Sequence, residues 1–359
     1  KAVSEDFYKQ SWERPTDVKS FNESLLTIDK KKKFSANDFL EFVEAQQKLH
    51  IQTRPISTLV DELYEKWFEN ELLKYYDDNL ENEIPEFRYV MDEYRDGLLL
   101  FDLMEKEAAA NIGNGKFLTP QDAVAQLKAN ANKRVKVQSV KPATKELSAE
   151  AIAERALEST VVVSEAYLCG KCDKTHVNAA SGYVIDEDGL IVTNHHVVEA
   201  YADTAGNKLL LQIMTANGKV YPVMEVLTNS KENDLAILRV DTKGDKLKPF
   251  GLGNTAKLGA DVFVLSNPNN MLFYFSKGIV ARNYMKSDRS GNSTKYPEME
   301  ITADYAAGSS GAPVVDNKGN LIGTVSTTSS IYYNPHQQRD LQMVVKGTKP
   351  VITLKELIN

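Results

Sequence analysis

Gly308-Ser309-Ser310-Gly311-Ala312-Pro313 is the stretch from which the rest of the chain can be read. A serine hydroxyl is a weak nucleophile at neutral pH and needs a base and a prepared site for an oxyanion. Glycines on both sides of a serine let the backbone turn tightly and aim N–H groups at developing negative charge. Ser310 is therefore the candidate nucleophile, with the N–H groups of Gly308 and Ser310 as candidate oxyanion donors. Such a run also occurs in ordinary turns, so the reading depends on a base and a carboxylate elsewhere.

Two segments supply them. In Gly189-Leu-Ile-Val-Thr-Asn-His-His-Val-Val198 an apolar run, Leu190 to Val192, predicts a buried strand that delivers Thr193-Asn194-His195-His196 at its end. In Asn233-Asp-Leu-Ala-Ile-Leu-Arg-Val240 an aspartate opens an alternating strand with Leu235 and Ile237 on one face. A histidine base needs a carboxylate to fix its tautomer and stabilise the imidazolium. The chain order histidine, Asp234, Ser310 is that of chymotrypsin, and it differs from subtilisin and the α/β-hydrolases.

On these residues the chain from about Glu158 to Asn359 resembles the trypsin-like serine proteases of the chymotrypsin fold, in their HtrA-type branch. Thr193-Asn-His-His-Val-Val198 matches that branch's Thr-Asn-x-His-Val-Val, which selects His196 as the base and leaves His195 as a spectator beside it. Asp234-Leu-Ala-Ile-Leu238 matches Asp-Leu-Ala-Val-Leu. Val262-Phe-Val-Leu-Ser-Asn-Pro268 and Lys277-Gly-Ile-Val280 match a strand pair of the same branch. The nucleophile box departs from Gly-Asn-Ser-Gly-Gly at Ser309 and Ala312. The resemblance implies a double six-stranded β-barrel with His196, Asp234 and Ser310 in the cleft between barrels. It implies peptide hydrolysis through an acyl-enzyme, with no metal or organic cofactor and with polypeptides as substrates.

The specificity-pocket position of trypsin-like enzymes falls on Asp304. A buried carboxylate there would favour Lys or Arg in the substrate, whereas the HtrA-type reading of Thr302–Gly308 makes the acid structural. The other pocket wall is Val325-Ser326-Thr327, small and polar.

The only cysteines form Cys169-Gly-Lys-Cys172, with His176 four residues on. Such a pair is a disulfide, a redox dithiol or half of a zinc site. Zinc takes four ligands, and Cys169, Cys172 and His176 offer three at most. No thioredoxin-like context surrounds them. The expectation is a short-loop disulfide or a thiol knuckle at the entry to the first barrel, with no metal.

The remaining length needs its own account, since 359 residues suffice for more than one core. A net charge of −7 with mixed signs gives no basic footprint for nucleic acid. No apolar run is long enough for a membrane span. Opening at Lys1 without Met or signal peptide predicts a processed, exported product, periplasmic or secreted, and Lys1 offers no Ile-Val-type terminus for activation by amine insertion.

Residues 1–107 read as helical. Phe39, Phe42 and Val43 follow a Ser35-x-x-Asp38 start signal. Leu59, Leu63, Trp67, Phe68, Leu72 and Tyr75 stripe a second helix. Pro85 opens a third, whose apolar face is Phe87, Val90, Met91, Tyr94, Leu98, Phe101 and Leu103. Leu59 to Phe68 and Glu86 to Glu107 resemble the helical segment of Bacteroidota SurA-like peptidyl-prolyl isomerases. No parvulin domain fits in the chain, so the resemblance implies only a chaperone-like module that binds partners such as unfolded envelope proteins.

Ala108 to Gly115 form a low-complexity seam. Thr119-Pro120 caps a short helix, and a polar, basic stretch from Lys128 to Lys145 leads to another helix after Ser148. The expected organisation is multidomain α + β: a helical module over 1–107, a linker with short helices over 108–157, and the double barrel over 158–359. The competing functional expectation is an envelope chaperone or binding protein that uses an inactive protease fold as scaffold. No PDZ domain follows the barrel, so the oligomeric state is left open.

Overall fold

A computed structural model of the chain describes residues 2–15, 19–204, 206–287 and 295–359, so Lys1 lies outside the described residues. The chain divides into two compact units, Lys1–Arg95 and Asp96–Asn359.

The first unit holds a hairpin, β1 (Ser24–Ile28) with β2 (Lys32–Ser35), followed by α1 (Ala36–Gln46) and α2 (Ile56–Glu83). Ser35 caps α1 as expected, its hydroxyl accepting the Asp38 N–H while the Asp38 carboxylate takes the Ser35 N–H. Val43 of α1 meets Leu59, Leu63 and Trp67 of α2 in a buried cluster with Phe7 and Trp12. The hairpin is a departure from the all-helical expectation. Its turn places Asp29 and Lys30 at positive φ, with neither glycine nor asparagine to mark it.

Helix α3 (Pro85–Asn114) begins in the first unit and ends in the second. Its expected apolar face is only partly used. Phe87, Val90, Tyr94 and Leu98 are exposed, whereas Met104 and Ala108 are buried against Val162, Leu210 and Met214. The compact division thus falls earlier in the chain than the expected boundary after Glu107.

The second unit is built on two closed six-stranded antiparallel barrels. The first comprises β3 (Thr160–Leu168), β4 (Thr175–Asp186), β5 (Leu190–Thr193), β6 (Lys208–Thr215), β7 (Val220–Ser230) and β8 (Leu235–Val240). The second comprises β9 (Asp261–Ser266), β10 (Tyr274–Ser287), β11 (Lys295–Ile301), β12 (Pro313–Val315), β13 (Leu321–Asn334) and β14 (Arg339–Pro350). Strands β9 and β10 pair in register with Gly278 opposite Val262. Closure removes the sheet edges that would otherwise template aggregation. A core including Tyr183, Phe250, Phe263, Leu265 and Leu354 lies between the barrels, and the Tyr183 hydroxyl bonds Thr324 across it at 2.7 Å.

Helices α4 (Pro120–Ala129) and α5 (Ala149–Ser159) carry the expected Thr119 and Ser148 caps. The stretch between them is not a free linker. Ala131, Val135 and Val140 form parallel bridges to Asn229, Ile358 and Gly251. Val135 and Val137 alternate with Arg134 and Lys136, which is a strand-like strap whose lysines and arginines disguise it. Ile152 and Ala156 of α5 are buried in the inter-barrel core.

In the turn from β3 to β4, Cys169 and Cys172 face each other with Sγ atoms 3.4 Å apart and no S–S bond between them, the knuckle form of the expectation. The Lys171 N–H, then the Cys172 thiol, hold the Cys169 thiol down to about 7. Among the described residues no helix is long and apolar enough to cross a membrane.

Candidate active site

The three residues selected from sequence meet where the barrels face each other. Strand β5 is wholly buried and ends at Thr193, whose hydroxyl donates to the Ser181 carbonyl at 2.8 Å. The chain then turns into α6 (His195–Tyr201), anchored by buried Val198 and Tyr201. The His196 side chain, 46% exposed, projects from its start.

Asp234 precedes β8 with φ +48, the left-handed region that aspartate enters more readily than most residues. The Asn194 side-chain amide donates to the Asp234 carbonyl at 2.8 Å and holds that turn. The Asp234 carboxylate accepts the His196 backbone N–H at 3.1 Å, His196 Nδ1 at 2.9 Å and the Ser326 hydroxyl at 2.6 Å. Burial pushes its pKa up. The hydrogen bond and charge of His196, with Ser326, more than offset that, and the carboxyl lies below its ordinary value. With Nδ1–H committed to Asp234, Nε2 carries the lone pair. Ser310 Oγ lies 2.9 Å from it and can donate its proton there.

The loop around Ser310 is fixed by its carbonyls. A trans peptide points its C=O and N–H in opposite directions. The Asn269 N–H holds the Ala307 carbonyl at 2.6 Å, and the Ala312 N–H holds the Ser309 carbonyl at 3.0 Å. The N–H groups of Gly308 and Ser310 are thereby turned the other way, and among the described residues neither has a backbone acceptor. Gly308 and Gly311 adopt φ +94 and +87. A Cβ at Gly308 would sit 2.4 Å from the Asn267 carbonyl, and one at Gly311 would sit 2.3 Å from that of Ser181.

Ser181 of β4 is the residue the sequence reading passes over. Its N–H donates to the Ser310 carbonyl and its hydroxyl to the Gly308 carbonyl, each at 2.9 Å, so the first barrel grips the loop of the second. The signal was the small run Ala179-Ala180-Ser181-Gly182, which lets the two backbones approach.

The pocket residues are arranged differently from expectation. A cavity of about 170 Å³ beside His196 and Ser310 is lined by Ala179, Ala180, Ala200 and Leu211 among others. Asp304 is not at a pocket base. Its side chain is 76% exposed and paired with Lys346, while its backbone carbonyl accepts the Ser276 hydroxyl. Val325 is buried, its backbone paired with Gly311 and Ala312. Ser326 serves Asp234 instead of a pocket, and Thr327 is exposed opposite Gly347. His195 is buried. Its ring nitrogens have no hydrogen-bond partner among the described residues, although Nε2 lies 3.7 Å from Glu199.

Residues 180–323 match the family described as "Trypsin-like peptidase domain". The chain thus carries a trypsin-like peptidase domain on the barrels just described. It is similar to Protease Do-like 1, chloroplastic, of Arabidopsis thaliana, at 31% identity over 40% of this chain and 32% of the relative. It is similar to Serine protease HTRA4 of Homo sapiens, at 30% identity over 42% of this chain and 30% of the relative. The chain therefore spans about a third of the length of these two curated relatives. Among solved structures, "Crystal structure of Deg5" aligns with TM-score 0.45 and 23% identity, over 57% of this chain and 90% of that one.

Proposed function

We propose that this protein is a serine endopeptidase of HtrA-like type that hydrolyses peptide bonds in polypeptides. The observation that carries the reading is the hydrogen-bonded row Ser310 Oγ, His196 Nε2, His196 Nδ1 and Asp234, at 2.9 Å on each side of the imidazole. Ser310 Oγ attacks the scissile carbonyl as His196 Nε2 takes its proton. Asp234 keeps the imidazole oriented and stabilises its charge. The carbonyl oxygen becomes an oxyanion held by the N–H groups of Gly308 and Ser310. Collapse expels the amine, which receives the proton from His196, and leaves an acyl-Ser310 ester. Water, deprotonated by His196, then attacks the ester and frees Ser310. None of these steps requires a cofactor.

The small side chains of Ala179, Ala180 and Ala200 beside Ser310 support acceptance of a modest apolar side chain. With Asp304 already paired to Lys346, a preference for Lys or Arg has no support from that residue. A periplasmic or secreted location belongs to this reading through the resemblance of residues 1–107 to envelope chaperones. Residues 1–107 are read as a partner-binding module.

Labelling with a fluorophosphonate probe tests the reading. Wild type should label and Ser310→Ala should not. A folded wild-type protein that resists the probe would remove the endopeptidase reading.

A further inference from the structure

The turn between β3 and β4 gathers three side chains that the active site does not use. Cys169 and Cys172 bear Sγ atoms 3.4 Å apart, and Cys172 Sγ lies 3.1 Å from His176 Nε2. The three ligand atoms are all within 4.8 Å of one another. The backbone explains the convergence. Gly170 takes φ +70 between the thiols, and the Lys171 N–H donates to Cys169 Sγ, so the two cysteines fold back on one another. His176 is held in the strand ladder opposite Tyr167, one step inside the last rung.

A second observation comes from outside the turn. Glu105 of α3 places Oε1 3.4 Å from His176 Nδ1. One ring nitrogen thus faces a carboxylate and the other faces sulfur. Metal-ligating histidines have this arrangement, because the carboxylate fixes the tautomer and raises the basicity of the coordinating nitrogen.

We propose that Cys169, Cys172 and His176 bind a zinc ion through two thiolates and His176 Nε2, with Glu105 as the positioning residue and the fourth coordination place open to water. The donor set selects the metal: thiolate and imidazole suit a borderline-soft ion, whereas magnesium and calcium require oxygen. Zinc–sulfur bonds of about 2.3 Å at tetrahedral angles separate sulfurs by about 3.8 Å and sulfur from nitrogen by about 3.5 Å. The observed separations are a few tenths of an ångström shorter, an adjustment that the exposed Cys172 can make. Binding displaces any thiol protons into solvent, and the ion ties the β3–β4 turn to α3 through Glu105. A disulfide would use only two of these groups and give His176 and Glu105 no part.

The test uses the full chain without a histidine tag, reduced, stripped with a chelator and freed of reductant. Titration with Co²⁺ should give thiolate-to-cobalt charge-transfer absorption that saturates at one ion per chain and is bleached by Zn²⁺. Cys172→Ser and His176→Ala should lose stoichiometric binding while keeping the wild-type circular dichroism. Glu105→Gln retains all three ligands and should weaken Zn²⁺ in competition with a chromophoric chelator by roughly 10- to 100-fold. Reduced, folded protein that binds no stoichiometric Co²⁺ would overturn the site. So would affinity unchanged in the ligand variants, or a thiol count on freshly isolated protein showing the cysteines joined. Unchanged affinity in Glu105→Gln would overturn the role of that residue.

Discussion

His196 and Asp234 come from the first barrel, each beside the end of a short strand whose side chains are almost wholly buried. Ser310 comes from the second barrel, on a loop between β11 and β12 whose shape depends on two glycines at positive φ and on individually held carbonyls. His196 and Asp234 are thus placed by a hydrophobic core, which is stiff and redundant. Ser310 and the N–H groups of Gly308 and Ser310 are placed by a handful of hydrogen bonds, two of which cross from Ser181. Substitutions on the first-barrel side should therefore damage chemistry and leave the loop standing. Substitutions at the loop glycines Gly308 and Gly311 should disturb the loop itself.

Ser310→Ala gives the largest expected effect, a loss in peptidase rate on the order of 10⁶, by analogy with triad serines elsewhere. The unfolding midpoint should hardly move, since only a hydroxyl is removed. Asp234→Asn should follow at about 10⁴, because the imidazole would then adopt the wrong tautomer. A steady-state peptidase assay ranks the two. An Asp234→Asn enzyme with near wild-type turnover would break the assignment of Asp234 as the orienting carboxylate.

Gly308→Ala tests the loop directly. The added Cβ would approach the Asn267 carbonyl to 2.4 Å, at a φ of +94 that alanine resists. The peptide carrying the Gly308 N–H must then turn, and loss of one oxyanion donor costs about 10²–10³ in rate. Maximal rate should fall far more than apparent substrate affinity. A fall confined to apparent affinity would mean that this N–H binds the ground state and is no oxyanion donor.

The same division explains what the sequence discloses. Leu190 to Val192 and Leu235 to Leu238 are strand patterns with the key residue at one end, so a linear reading places His196 and Asp234 correctly in chain order beside their strands. The glycines of Gly308–Pro313 advertise a tight turn, but the partners that hold it, Ser181 and Asn269, are distant in sequence and of ordinary type. Counting from the nucleophile leaves both a pocket and a structural reading open for Asp304, since it says nothing of Lys346, which pairs with it from another strand. The strap through Val135 and Val137 looks like linker in sequence because its charges outweigh two valines. In the first unit, Leu59, Leu63 and Trp67 show helical periodicity and are buried, whereas Phe87, Val90, Tyr94 and Leu98 show it and are exposed. Periodicity identifies an apolar face and is silent on whether anything covers it.

Ser326 crosses the division, since it belongs to β13 of the second barrel yet bonds the Asp234 carboxylate at 2.6 Å. Removing one hydrogen bond of this kind costs about 1 kcal/mol, or roughly five- to tenfold in rate if it acts wholly on the imidazolium state. Ser326→Ala should therefore reduce turnover by about that factor. Its second consequence is on stability and has a definite sign. The Asp234 carboxyl lies below its ordinary value in the folded protein, and Ser326 is one of the causes. A depressed carboxyl contributes stability above its unfolded value of about 3.9, and that contribution is lost as pH falls through the folded value. In Ser326→Ala the folded value rises toward the unfolded one, so less stability remains to be lost. Urea unfolding in a Ser310→Ala background, which prevents self-cleavage, should show the Ser326→Ala destabilisation at pH 6. It should shrink as the pH drops below 4 and both proteins protonate Asp234. A difference independent of pH would mean that Ser326 matters only for packing between the barrels, and that the first barrel holds its carboxylate unaided.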